Sequence, residues 1–122
     1  MNKQGEVSFT TSYVHGVPLV MTSGNVDVTN AATFEAMLEK VAYTTSPSDA
    51  MIVDFEHCEY FDSVAVGVLI KFLRITPKNR IVLVAPPQSA LAKVLDMAGF
   101  GRMCTIVPSV DAALSSVAVS AA

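Results

Sequence analysis

A chain of 122 residues, 52% of them hydrophobic and 16% charged, is material for one domain, too apolar for disorder and too short for two separate cores. Its net charge of −3, with only eight Lys and Arg scattered along it, gives no basic stripe to neutralise phosphates, which argues against a nucleic-acid partner. Two cysteines make no disulfide framework, and the longest apolar stretch, Val64 to Ile70, falls far short of the ~20 residues of a membrane span.

The opening Met1 to Glu6 reads as polar rather than as a secretory leader, so a cytoplasmic domain without direct membrane insertion is expected. A mean hydropathy of +0.48 is high for a soluble chain and suggests an apolar docking face. Val7, Phe9, Thr11 and Tyr13 alternate with Ser8, Thr10 and Ser12, the period of a half-buried strand. His15-Gly16 supplies a turn into a second strand over Val17 to Thr22, and Pro18 within it suggests an early or edge position. Ser23-Gly24-Asn25 reads as a loop. A helix follows, with Phe34, Met37, Leu38 and Val41 on its apolar face and Thr29 or Asn30 as its cap. Pro47 breaks the chain before a buried strand over Met51 to Phe55.

Glu56 to Asp62 reads as a polar connector to a second helix beginning near Ser63, with Ala65, Val68, Leu69, Phe72 and Leu73 as its stripe. Pro77-Lys78-Asn79 stops that helix, and Ile81 to Ala85 is another buried strand. After Pro86-Pro87 a third helix carries Leu91, Val94, Leu95 and Ala98, with Gly99 as its left-handed stop. Thr105 to Val107 is a last short strand. Ser109 caps a final helix through Val110, Ala113, Leu114 and Val117, and residues 118–122 read as a frayed tail. The order β-β-α-β-α-β-α-β-α predicts a single α/β domain over residues 1–122, with a mixed, largely parallel sheet of about five strands.

Enzyme signatures are missing. The six glycines are isolated, so neither G-x-G-x-x-G nor G-x-x-x-x-G-K-[ST] occurs, and there is no G-x-S-x-G elbow. His57-Cys58-Glu59 suggests metal ligands only superficially, because contiguous residues of an extended chain point to opposite sides. No cofactor, no metal and no catalytic residue is expected. Asp27 and Asp62 each precede a helix, on the sheet edge where open α/β folds place their sites, although capping alone accounts for both.

Tyr60-Phe61-Asp62-Ser63-Val64-Ala65-Val66-Gly67-Val68-Leu69 resembles the signature of the sulfate transporter and anti-sigma factor antagonist (STAS) family, D-S-[ST]-G-[LV]-G-[VL]-[LI] after an aromatic or apolar pair. Gly24-Asn25-Val26-Asp27 is similar to the family's G-x-[LIV]-D, and Leu95 to Phe100 to its L-x-x-x-G-[LF]. Val64 and Ala65 depart from the pattern, standing where Ser or Thr and then Gly are usual.

The resemblance implies an anti-sigma factor antagonist with Ser63 as phosphate acceptor. Gly24, Asp27, Thr29, Asn30, Asp62, Val64, Ala65 and Val66 would build the docking face. The implied partner is an anti-sigma factor of serine-kinase type, with a phosphatase as the further partner that a resettable switch calls for. In the residue-level reading Ser63 itself caps the second helix, where a phosphate would meet free amides. The competing expectations are a constitutive scaffold in a signalling complex and a subunit of a membrane lipid or anion transport system.

Overall fold

The computed structural model describes residues 7–46, 49–76 and 80–121. Their elements run β1 (Ser8–Val14), β2 (Val17–Val26), α1 (Ala31–Thr44), β3 (Met51–Phe61), α2 (Ser63–Arg74), β4 (Ile81–Val84), α3 (Ala90–Met97), a 3-10 turn (Phe100–Arg102), β5 (Thr105–Val107) and α4 (Val110–Ala121). The strands form one sheet in the order β1-β2-β3-β4-β5. β1 and β2 are antiparallel, and every later pairing is parallel.

Topology decides which face each helix covers. Right-handed crossovers that step in one direction across a parallel sheet leave their helices on one face. Phe34 and Leu38 of α1, Leu69 and Phe72 of α2, and Leu91 and Leu95 of α3 share the main core with Val20, Val53 and Leu83 of the sheet. The period-2 neighbours Leu19, Ile52, Val82 and Val84 point the other way and meet Ala113 of α4 in a second cluster.

Two strands are longer than the sequence pattern indicates. β2 continues through Ser23-Gly24-Asn25 and β3 through Glu56 to Phe61, so the expected loop and connector are strand, paired from Ser23↔His57 to Val26↔Phe61. Register shifts between Met21 and Ser23 and between Gly24 and Asn25 break the alternation on which a sequence reading depends. Gly24 takes φ +88°, a left-handed conformation that suits glycine at such an irregularity. Pro18 is buried in an interior strand rather than at an edge. It sits one residue before pairing with β3 begins at Leu19↔Ile52, where its missing N–H breaks no rung there.

Several stops behave as the sequence predicts. Gly99 ends α3 at φ +77°. Ser109 caps α4, its Oγ accepting from the Ala112 amide at 3.1 Å, and α4 stays helical to Ala121 through small residues expected to fray. The breaks at Pro47 and Pro77-Lys78-Asn79 and the opening Met1 to Glu6 lie outside the described residues. Asn30 occupies the N-cap position of α1 but makes no side-chain cap bond. One residue that the sequence does not single out fastens the opposite end of that helix. Arg80 is buried, donating from Nη2 to the Ala42 carbonyl at 2.7 Å and the Thr45 carbonyl at 3.0 Å, and from Nε to the Asp49 carbonyl at 3.0 Å.

Candidate functional site

β2 and β3 end side by side at Val26↔Phe61, so the residues that follow, Asp27 and Asp62, emerge at the same carboxyl edge of the sheet. Beneath that edge lies an aromatic cluster. Phe61 meets Phe34 edge-on at 5.6 Å and Phe55 at 5.3 Å, and Phe34 stacks with Phe9 at 5.7 Å. Such pairs contribute about 0.5–1.5 kcal/mol each beyond area burial, and they give the edge a firm base.

Asp62 joins the two chain segments. Its amide donates to the Val26 carbonyl at 3.1 Å. One carboxylate oxygen accepts from the Ala65 amide at 2.9 Å and the other from the Val28 amide at 3.0 Å. The cap of α2 is therefore Asp62 and not Ser63, which is the first residue of the helix. The physical reason is reach: a cap side chain bonds the amide two or three positions on, and Asp62 meets that spacing with Ala65.

The β2–α1 loop is held by its own polar groups. Asp27 Oδ1 accepts from the Thr29 amide at 2.9 Å and from the Thr29 hydroxyl. Asn30 Oδ1 accepts from the Asp27 amide at 3.0 Å, and its Nδ2 donates to the Asn25 carbonyl at 3.0 Å. These bonds, the Thr29 hydroxyl foremost, hold the Asp27 carboxyl below its ordinary range. A charged carboxylate thus stays at the rim.

Ser63 is exposed. Asp27, Thr29, Asn30, Asp62, Ser63 and Val64 lie together at this edge. The other three predicted contact residues, Gly24, Ala65 and Val66, lie within the sheet or against the core. Ala65 is fully buried in the main core, because the third position of α2 turns inward, so its side chain offers a partner nothing. Gly24 is half-buried within β2 rather than in a loop. Val66 is half-buried and packs on the main core. Besides the predicted Val64 (44%), the structure exposes Val28 (68%) and Tyr60 (56%), Val28 bonded through its amide to Asp62 and Tyr60 and Val64 two residues to either side of it. The sequence signal for Val28 is an apolar residue between two polar ones, Asp27 and Thr29; Tyr60 stands in the motif, within the segment that reads as a connector.

The neighbouring cysteine chemistry is closed. Burial raises the Cys58 thiol to about 11, while His57 is exposed, so the two do not face one site. Cys104 is likewise raised to about 11 by burial. Thiols held that high are poor nucleophiles. Among the described residues no group of three His, Cys, Asp or Glu is placed to hold a metal ion, and no helix is long and apolar enough to cross a membrane.

The family model of the STAS domain matches residues 8–113. The chain belongs to the STAS family. Among solved structures, this STAS domain is similar to an anti-sigma factor antagonist from Mycobacterium paratuberculosis, at 23% identity and a TM-score of 0.83, covering 96% of this chain and 98% of that one. It is also similar to the Bacillus cell fate determinant SpoIIAA in its phosphorylated form, at 18% identity and a TM-score of 0.60, over 86% of this chain and 96% of that one. A chain of the Acinetobacter MlaFEDB complex in an ATP-bound conformation is similar at 23% identity and 0.60, over 73% of this chain and 93% of that one. At these identities the likeness is one of fold. No curated protein sequence matches the chain.

Proposed function

We propose that this STAS domain is an anti-sigma factor antagonist, a regulator without catalysis of its own, which docks through the edge around Asp62 on an anti-sigma factor of serine-kinase type and is released when Ser63 is phosphorylated. The observation that carries the reading is the exposed Ser63 at the first position of α2, beside a carboxylate already committed to two backbone amides.

A phosphate on Ser63 would add about −1.5 to −2 charges. The amides at the open end of the helix favour an anion there, so the modified domain stays folded. For a partner that has packed against Val28, Tyr60 and Val64 the same charge is prohibitive, since it must be desolvated beside Asp27 and Asp62. Phosphoryl transfer requires a positioned metal and a base; in this reading the kinase supplies both, and a phosphatase resets the domain.

The departures from the family pattern now separate. Ala65 is directed into the core and does not obstruct an approaching nucleotide site. Val64 is exposed and is the side chain that a kinase must accommodate, which selects a partner with an apolar recess opposite it.

Titration of the wild type, Ser63→Ala and Ser63→Asp against the anti-sigma factors of the native host tests this. The alanine variant should bind within about 3-fold of wild type and the aspartate variant about 10-fold or more weakly. Equal affinities would overturn the switch. The likeness to a chain of MlaFEDB supports a second reading, a subunit of an ATP-dependent transport assembly; recovery of an ATPase subunit with the domain, and of no anti-sigma factor, would favour it over the first.

A further inference from the structure

We propose that β1 is a self-complementary edge through which two copies of this chain pair antiparallel about a twofold axis at Thr11, joining two five-stranded sheets into one. This inference is independent of the partner-docking reading, because it rests on the opposite margin of β2.

Among the described residues β1 is the first strand of the sheet, paired with β2 on one side only. Its register closes at Val14↔Val17 around a two-residue turn, with φ +52° at His15 and +82° at Gly16. In such a hairpin the flanking pair exchanges both backbone bonds, and bonding alternates from there. Ser8, Thr10, Ser12 and Val14 therefore spend their N–H and C=O groups on β2. Phe9, Thr11 and Tyr13 direct theirs outward.

Soluble proteins protect such edges with charge, proline, a bulge or brevity. Ser8–Val14 has none of these: its sequence, SFTTSYV, holds no charged residue and no proline, its pairing with β2 is unbroken, and it is seven residues long. The other margin, β5, is three residues long, too short a template for comparable pairing.

The side chains fit a second copy as well as the backbone does. Antiparallel pairing centred on Thr11 sets Thr11 against Thr11 and Phe9 against Tyr13 of the second copy, twice over. Aromatic cross-strand pairs of this kind are stabilising. Phe9 is already held by stacking on Phe34, whereas Tyr13 is 64% exposed and gains a neighbour. Thr11 lies on the same side, its hydroxyl 4.0 Å from Met37 Sδ. On the opposite side Ser8, Thr10 and Ser12 are exposed, and the second core cluster, where α4 packs, draws no residue from β1. The contact is isologous, so it closes at two copies instead of growing into a fibre.

Pairing forms about six interchain N–H···O bonds over an area below that of a standard interface, so the dimer fraction should rise across roughly 10 μM to 1 mM. Sedimentation velocity on the full chain reads this directly. Thr11→Lys and Thr11→Glu each place like charges on the axis and should be monomeric, and their equimolar mixture should recover the dimer because Lys then faces Glu. Should a Thr11 variant melt early by circular dichroism, Tyr13→Ala removes only an exposed ring and should lower the dimer population about 5-fold. A wild type that stays monomeric at 1 mM, variants that dimerise as it does, or a mixture that stays monomeric would each overturn the proposal.

Discussion

Asp62 and Ser63 are adjacent, yet they do different work. Asp62 satisfies two backbone amides from two segments, while Ser63 is exposed at the start of α2. Removing the carboxylate leaves the Ala65 amide without its cap and the Val28 amide without its acceptor. Asp62→Ala is expected to lose about 1–3 kcal/mol of folding stability. Ser63→Ala should stay within about 0.5 kcal/mol of wild type, as ordinary surface substitutions do. Urea denaturation of the two variants measures both. A larger loss for the serine variant would mean that Ser63 caps the helix after all. Cap and proposed phosphate acceptor are thus separated by one position, so that a charge placed on Ser63 would leave the bonds at the start of α2 intact.

Helices were the most legible elements, because each carries its own period: Leu69, Phe72 and Leu73 of α2 are buried as spaced. The far ends of β2 and β3 were not legible. Glu56, His57, Glu59 and Tyr60 are exposed while Cys58 and Phe61 are buried, and the register shifts put two exposed residues together twice. Only pairing with a distant strand makes that segment extended, a tertiary cause that no local pattern carries. Arg80 was invisible for the same reason, since its acceptors belong to α1 and to the turn after it. Replacing it with methionine keeps the apolar stem but orphans the carbonyls of Ala42, Thr45 and Asp49. Arg80→Met is expected to cost about 2–3 kcal/mol, and hydrogen exchange should quicken first in the last turn of α1. A loss under about 0.5 kcal/mol would show that water replaces the guanidinium.

For the molecule as a whole, the α/β alternation in the sequence determined the layers, whereas the candidate edge around Asp62 was legible only through the motif around Ser63. The layers also place one ionisable group where it works against the fold. Asp54 follows Ile52 on the side of the sheet that α4 shares and is almost fully buried. Burial raises its carboxyl above the ordinary 3.8, opposed by its bond from the Glu56 amide and by the His57 charge. The protonated form is therefore the one that the folded state favours. Below the unfolded-state pKa this contribution is fully present, and it is lost as pH rises through the higher folded-state value. Asp27 has the opposite sign: its carboxyl is lowered, so its contribution is present above the ordinary value and lost as pH falls. A comparison of wild type with Asp54→Asn isolates the first effect, because Asp27 is common to both and an asparagine Oδ1 still accepts from Glu56. The asparagine variant should match wild type most closely near pH 3.5 and gain on it as pH climbs above about 4, levelling off once Asp54 is ionised in both states. Urea midpoints across pH 3 to 7 provide the measurement, and a difference independent of pH would show that Asp54 ionises in the folded protein as readily as in water.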